Sequence, residues 1–446
     1  MTNNRTDGSA ARETAFEEND ITPAETQTRD RPMWKERELS TEYLETGNAR
    51  GGFDVPLAAI TVILLALGVI MVLSASFARA NLMSGQPMQF FTRQLIFAVS
   101  GIAIMLVVSR IPIRTMSRWS IHLMVVSIGL LVLVLLIGVR LNGAKRWIGI
   151  GAGNSSFTFQ PSEIAKLAVI MSFAQLSCKF GKKKMKTFRY GVVPFVAIMI
   201  IIVVLLSREP HYSASVIIIT LTGIMMFASG TRFRWFILAG LAVALLLGGI
   251  YVIYLRPRFG DSADLDDNLR QVIVENSSKF GYAGRRVGAW LDPEADPLGD
   301  GLQIRQSLFA VGSGGLFGQG LGQSRQKYLY LPEEHNDYIF AIICEELGYI
   351  GAMLILMLFV LLIVRGYWLA LRAKDKYSSL VMIGITSLLA IQVFLNIAVV
   401  TNLLPATGIS LPFFSYGGTA LWIQLLQIGI MLSISRDVGV KERDYR

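Results

Sequence analysis

The residues best equipped for chemistry fall in one short stretch, Leu331-Pro332-Glu333-Glu334-His335-Asn336-Asp337-Tyr338-Ile339-Phe340, where a long polar segment ends and a long apolar one begins. The apolar run from Ile339 to Val364 exceeds the roughly 20 residues that a helix needs to span a bilayer. Three carboxylates and an imidazole therefore gather at a membrane boundary, where a carboxylate is costly unless it is paired or used. A cap on a helix N-terminus accounts for one acid through the helix dipole; it accounts poorly for four titratable groups in one turn. Asp337, nearest the apolar run, has the strongest chemical case. Partial burial raises the pKa of a carboxyl and basic neighbours lower it, and a carboxylate tuned in this way can take a proton from a hydroxyl.

The elements that position this stretch are membrane helices. The chain has 446 residues, 53% hydrophobic and only 17% charged, and its apolar residues come in long runs. Ten runs, at about 55–76, 90–109, 119–141, 161–180, 191–207, 213–230, 233–254, 338–364, 378–401 and 411–433, approach spanning length. The fold class expected is all-α, a polytopic membrane protein of ten transmembrane helices. Basic residues set its orientation. Arg110, Arg114 and Arg118, the run from Lys182 to Arg189, Arg232 and Arg234, and Arg365 to Lys376 all fall in alternate loops, which are expected to face the cytoplasm together with both termini. The expected organisation is a disordered cytoplasmic tail (1–52) without a secretory signal, helices 1 to 7 (53–254), a large extracellular loop (255–336), helices 8 to 10 (337–436) and a short cytoplasmic tail (437–446). In the large loop, Asp261 to Asp267 should be solvated, whereas Trp290, Leu308, Phe309, Leu316 and Phe317 should fold back on the membrane surface. The net charge of +10 is explained by topology; no basic aromatic module points to nucleic acid.

Other polar residues stand out against this background. Lys145-Arg146-Trp147 lies on an outer loop that should avoid basic residues, and Arg93 opens the second span. Both are either snorkelling interfacial anchors or cations for a pyrophosphate, whose oxygens Arg and Lys suit. Glu163 and Lys166, three apart after Pro161, share a helix face; an ion pair at the helix entrance is the first reading and a polar cavity wall the second. The glycines from Gly312 to Gly322 lack the Gly-Lys-Ser/Thr ending of a nucleotide loop and face outward. Cys178 and Cys344 make no disulfide framework, and His122, His211 and His335 are too scattered for a histidine metal site.

Asn142-Gly143-Ala144-Lys145-Arg146-Trp147, Gln160-Pro161-Ser162-Glu163 with Lys166, Asp296-Pro297-Leu298-Gly299, Gln306-Ser307, Leu331-Pro332-Glu333 with His335 and Asp337, Glu345-Glu346-Leu347-Gly348, and Leu411-Pro412 with Ser415-Tyr416-Gly417-Gly418 are together highly specific. Through them the chain resembles the SEDS family, the shape, elongation, division and sporulation group of bacterial peptidoglycan polymerases, over nearly all of residues 53 to 436. The run from Gly320 to Lys327, followed by Tyr330-Leu331-Pro332-Glu333, looks more like the division (FtsW) and sporulation branch than the rod-elongation (RodA) branch.

The resemblance implies polymerisation of lipid II, an undecaprenyl-pyrophosphate disaccharide-peptide, on the outer face of the bacterial cytoplasmic membrane, with release of undecaprenyl diphosphate. Asp337 occupies the place of the family's catalytic Asp in a His-Thr-Asp motif, with Asn336 in place of Thr. Glu209-Pro210-His211 stands where many members have Gln-Pro-Asp, so no acid role carries over there. Arg93, Lys145, Arg146, Glu163, Lys166, Lys327, Glu333, His335 and Ser415 are the implied substrate contacts, and a divalent cation (Mg or Mn) would assist the leaving group. The implied partners are a class B penicillin-binding protein that cross-links the glycan, other division or sporulation membrane proteins and membrane lipid, with the site of action at the septum. The chain itself is expected to carry no cross-linking nucleophile of the Ser-x-x-Lys kind. The rival readings are a lipid II flippase and a non-catalytic division scaffold.

The charge bias makes a direct prediction. Reporters inserted at residue 183 or 375 should be cytoplasmic and one within 262–278 external; an external signal at 183 would overturn the orientation.

Overall fold

The computed structural model describes residues 51–141, 144–150, 157–209, 211–250, 281–294, 296–297 and 299–443. The expected N-terminal tail, except for residues 51 and 52, lies outside the described residues. So do residues 255–280 of the large loop, Asn142-Gly143 and the last three residues of the C-terminal tail.

The described chain is a helical bundle with one small sheet. Its elements are α1 (Val55–Ser84), α2 (Gln89–Val108), α3 (Ile113–Ile137), β1 (Val139–Leu141), β2 (Ala144–Ile150), β3 (Phe157–Phe159), α4 (Pro161–Met185), α5 (Phe188–Gly191), α6 (Val193–Arg208), α7 (Tyr212–Ala228), α8 (Phe233–Ile250), α9 (Gly281–Leu291), α10 (Asp300–Ser313), α11 (Ile339–Arg372), α12 (Lys376–Val400) and α13 (Gly418–Arg443). Among the described residues, eight helical segments are long and apolar enough to cross a membrane, and Tyr212–Ala228 and Phe233–Ala242 are shorter apolar helices. These ten segments fall on the ten runs read from the sequence.

Local signals explain the ends. Asp54 caps α1, its carboxylate accepting from the Leu57 amide at 2.9 Å. Asp375 does the same for α12 at Ser378, and Pro161 sits in the first turn of α4, where a missing amide costs nothing. Inside the bundle, Thr61, Ser76, Ser172, Ser177 and Thr222 donate their hydroxyls to the carbonyl four residues back, so they stay satisfied without water. α4, α12 and α13 are the most enclosed helices, whereas α2 and α6 are largely exposed. α13 packs on α2, α3 on α4, α1 on α2 and α11, and α12 on α4, α7 and α11.

Three expectations change. The fold is not purely α, because β1, β2 and β3 form an antiparallel sheet with Arg140 opposite Lys145 and Gly149 opposite Thr158. The span expected to reach residue 141 stops at Ile137, and the extended backbone of Gly138 turns the chain into β1. The span expected from 411 starts at Gly418, because the amides before it are engaged elsewhere. Leu411 donates to Ser415 Oγ at 2.8 Å, Phe413 to Gln424 Oε1 at 3.0 Å and Tyr416 to the His335 carbonyl at 2.9 Å.

α11 is the longest element. Its 34 residues would run about 51 Å at 1.5 Å each, well beyond a bilayer core of roughly 30 Å. It is broken at Gly348, where φ is 68°. The glycine-rich loop repairs the break. Gln319 and Gly320 donate to the carbonyls of Glu345 and Glu346 at 2.9 and 3.0 Å, and Tyr349 and Ile350 donate to the carbonyls of Gly315 and Leu316 at 2.9 and 3.1 Å. A Cβ on Gly348 would lie 2.2 Å from the Gly318 nitrogen, so both the backbone angle and the contact require glycine there.

Gly348→Ala should therefore lower the thermal stability of the detergent-solubilised protein by about 1–3 kcal/mol or more. Gly129→Ala, in a helix with open space beside it, should be neutral or slightly stabilising. Equal melting temperatures for the two variants would refute the close-contact account.

Candidate functional site

Asp337 is placed by its backbone. It lies in the turn before α11, and three successive carbonyls of that turn are held by other elements. The Tyr416 amide donates to His335 O at 2.9 Å. Ser415 Oγ donates to Asn336 O at 2.8 Å. Asn396 Nδ2, on α12, donates to Asp337 O at 2.8 Å and to Ile409 O at 2.7 Å. Glu333 opens the turn with φ at 56°, an unusual conformation for a residue with a side chain. It is held there because the Asn336 and Tyr338 amides both donate to its carbonyl, and Asn336 Nδ2 donates to its carboxylate.

The Asp337 side chain is half-buried against Gly408, whose φ is +71°; a Cβ there would sit 3.1 Å from Asp337 Oδ2. Burial and the Glu333 charge push the Asp337 carboxyl up to about 6, against the pull of Arg286, Arg146 and His335. The group is thus mostly ionised at neutral pH, yet basic enough to accept a proton, which is the range that favours a general base.

The neighbouring acids are committed. Glu334 is fully buried and takes a two-pronged contact from Arg79, Nε to Oε1 at 2.7 Å and Nη2 to Oε2 at 3.0 Å. Burial alone would raise its pKa, but the nearby His335, with Nδ1 3.7 Å away, and the hydrogen bonds from Arg79 hold it below the ordinary glutamate value. His335 packs against the rings of Phe90 and Tyr416, with centroids 4.9 and 5.8 Å away.

Several residues expected on substrate are engaged by the protein itself. Lys145 Nζ donates to the carbonyls of Leu135 and Leu136 at 2.8 and 3.0 Å and so caps the C-terminus of α3. Ser415 Oγ spends both its acceptor and its donor, on Leu411 N and Asn336 O. Lys327 is buried and paired with Glu346 at 3.0 Å. Ser324 and Lys327 do in fact have the Ser-x-x-Lys spacing, contrary to expectation. However, Ser324 Oγ donates to Glu345 and Lys327 Nζ binds Glu346, so the two side chains serve the α11 network and not each other. Glu163 and Lys166 form a buried ion pair at 2.8 Å, the first of the two readings.

Arg146 and Arg93 keep a different character. Arg146 is half-buried on β2, its Nε donating to the Glu209 carbonyl at 3.4 Å, and its charge reaches Asp337. Arg93 is half-buried one helical turn on from Phe90. Arg286, whose charge also reaches Asp337, lies on α9 and was not singled out by sequence; its Nη1 donates to Gln303 at 3.0 Å. Asn396 and Gly408 were missed too, being about 60 and 70 residues from Asp337 with no motif around them.

A divalent cation does not find a protein-built cage among the described residues, where no three His, Cys, Asp or Glu side chains converge. Glu333, whose charge reaches Asp337, accepts from Asn336 Nδ2, and Glu334 is committed to Arg79. What the arrangement can do is accept a proton at Asp337 beside two guanidinium groups that favour developing negative charge.

Comparison with known proteins places this geometry. The FTSW_RODA_SPOVE family model, described as a cell cycle protein, matches residues 56–439. The chain is 42% identical over 385 residues to stage V sporulation protein E of Bacillus subtilis, covering 86% of this chain and 97% of that one. It is 39% identical over 385 residues to a probable peptidoglycan glycosyltransferase FtsW of Trichlorobacter lovleyi, covering 86% and 93%. In three dimensions it is similar to a chain of the solved structure described as "Structural coordination of polymerization and crosslinking by a peptidoglycan synthase complex", with a TM-score of 0.66, 24% identity and coverage of 86% and 98%. It is also similar to the rod shape determining protein RodA of Thermus thermophilus, with a TM-score of 0.59, 23% identity and coverage of 86% and 97%. At these identities the two structures speak to the fold alone.

The Arg79–Glu334 pair makes the second stability prediction. Arg79→Ala leaves a buried carboxylate uncompensated and should cost about 3–5 kcal/mol at pH 7. Because the folded pKa of Glu334 lies below 4.5, the contribution of the pair is full above that pH and is lost as the pH falls through the folded value. Melting temperatures of wild type and variant should thus differ at pH 7 and converge as the pH falls through the lowered Glu334 value; a constant gap would show that the ionised pair is not responsible.

Proposed function

The chain belongs to the FtsW/RodA/SpoVE family of cell cycle proteins, and on that footing we propose that it is a peptidoglycan glycosyltransferase that polymerises lipid II on the outer face of the bacterial cytoplasmic membrane. The single observation that carries this reading is Asp337: a half-buried carboxylate on a clamped turn, poised near pH 6, with Arg146 and Arg286 close enough to pull on its charge. Transport of a headgroup and a purely structural role in division call for no such proton acceptor.

The chemistry follows from the groups present. The 4-hydroxyl of the acceptor sugar attacks the anomeric carbon of the donor and gives its proton to Asp337. The bond from that carbon to the lipid pyrophosphate breaks, and its electron pair leaves with undecaprenyl diphosphate. Negative charge passes from Asp337 to the leaving oxygen, and Arg146 and Arg286, released from the Asp337 charge, are the groups to stabilise it there. The chain makes ten crossings with both ends cytoplasmic, which is supported by the Lys/Arg bias.

Relatives named FtsW and stage V sporulation protein E support a role in septal or sporulation wall synthesis. A class B penicillin-binding protein is the partner we assign. Support comes from the complex described as coordinating polymerization and crosslinking, and from the commitment of Ser324 and Lys327 to other groups here.

Asp337→Asn retains size and polarity but cannot accept the proton. Polymerisation of purified lipid II should fall by about 10²–10⁴-fold at matched protein level. In the wild type the ionised fraction of a carboxyl near 6 falls about tenfold between pH 7 and pH 5, and the rate should follow it. Near-normal polymer from the Asn variant would remove Asp337 from the mechanism.

A further inference from the structure

Behind Gly408 lies a second polar cluster that the transfer step leaves unused. α6 ends and α7 begins at Glu209 and His211, which are 1% and 6% exposed. Glu209 Oε1, His211 Nδ1, Ser162 Oγ and Thr407 Oγ1 are all buried without a hydrogen-bond partner among the described residues. Contacts between elements bring them together. Gln160, the residue before α4, has Nε2 at 3.4 Å from His211 Nε2. Ser213 Oγ donates to the Thr407 carbonyl, and Arg146 Nε donates to the Glu209 carbonyl. Thr407 directly precedes Gly408, the residue against which Asp337 lies. The cluster and the proposed base therefore flank the same two residues.

Buried polar atoms in folded proteins are nearly always paired, so four unpaired ones beside a reaction centre mark a place that a ligand completes. The cluster is uncharged. Burial pushes the Glu209 carboxyl up to about 8 despite Arg146, so it carries its proton at neutral pH. Burial, with Arg146 and Lys166, holds His211 well below its ordinary value, so it is neutral. A carboxylic acid, an imidazole and two hydroxyls on these joined segments offer donors and acceptors with no net charge. This suits a small neutral group that itself both donates and accepts, and an amide is such a group.

We infer that Glu209, His211, Ser162 and Thr407 form a subsite for a neutral amide of the substrate, the acetamido group on a sugar of the peptidoglycan disaccharide, with the Glu209 O–H donating to its carbonyl oxygen. The inference rests on the lipid II reading and names which part of that substrate the site takes.

The test is binding of lipid II to the full-length protein in detergent micelles, beside an analogue whose acetamido groups are replaced by hydroxyls. Wild type should bind the analogue about tenfold more weakly, the loss of one or two hydrogen bonds. Glu209→Gln, which keeps a donor and an acceptor, should bind lipid II within about twofold of wild type. Glu209→Leu should bind it about tenfold more weakly and show no further loss with the analogue.

A pH series adds a readout that a merely structural residue would not move. Of the groups around the cluster, Arg146 donates to the Glu209 carbonyl, His211 stays neutral, Lys166 is held by Glu163 and Asp337 is already ionised above neutrality. Wild-type affinity should therefore fall as the pH rises through about 8, whereas Glu209→Gln should stay flat. If Glu209→Leu does not fold, the wild-type comparison and the Gln pH series decide alone. Equal wild-type affinities for lipid II and the analogue, or a Gln variant as pH-sensitive as wild type, would overturn the subsite and leave a water-filled cluster. Polymer without that discrimination refutes the subsite alone; discrimination without polymer refutes the transferase reading and leaves the subsite standing.

Discussion

Where α11 breaks at Gly348, the carbonyls of Glu345 and Glu346 and the amides of Tyr349 and Ile350 lose their helical partners, and a single glycine-rich loop supplies all four replacements. In surroundings as apolar as these, a backbone group without a partner costs several kcal/mol (of order 2–7 by transfer measurements). The loop is thus as much a part of α11 as its own turns. Once it is seated, the side chains at the break fall into place. Glu346 takes Ser74 of α1 and Lys327, and Glu345 takes Ser324 and the Arg325 amide. The first two turns of α11, and the Asp337 turn that leads into them, are thereby tied to α1 and to the outer loop at once.

The same constraint explains why so many charged residues near the site are paired with one another. An ion buried in a membrane protein needs a partner before it can have a function. Lys327 and Glu346, Lys166 and Glu163, and Arg79 and Glu334 satisfy one another. Asp337 differs from these acids. Its backbone is clamped by Asn396, yet its carboxylate lies against the backbone of Gly408 and feels the charges of Glu333, Arg286, Arg146 and His335. Rigid placement of the main chain and an uncommitted side chain are the combination a base requires.

The legible part of this arrangement was the part carried by local periodicity and composition. The apolar runs marked the helices, with some ends displaced by up to about ten residues, and the crowding of acids at a membrane boundary singled out Asp337. The sheet was illegible because its two outer strands have three residues each, too few to show a period, and the seven of β2 include Gly149 and the charged pair Lys145-Arg146. Leu411 to Gly417 looked like the start of a helix because its apolar content continues into one, and the amide partners that prevent it, Gln424, Ser415 and His335, are set by tertiary structure. Lys145 and Lys327 looked like ligands for phosphate because sequence reveals a charge but not the groups that already engage it. Arg286, Asn396 and Gly408 left no trace, since what matters about each is a distance across the fold.

A different consequence follows from the clasp at the far end of the bundle. Arg365 holds the Asp54 carboxylate from two sides, the Asp54 amide donates to Ser435 Oγ at 3.0 Å, and the Gly51 amide donates to the Arg436 carbonyl at 3.2 Å. The point where the bundle begins and the point where it closes are thus the same place. This is a statement of parity: a path that returns to its starting side has crossed an even number of times. Single apolar segments are then not independent units that evolution can add or delete. Losing one would strand Arg436 on the opposite side of the membrane from Gly51, and only paired gains or losses preserve the closure.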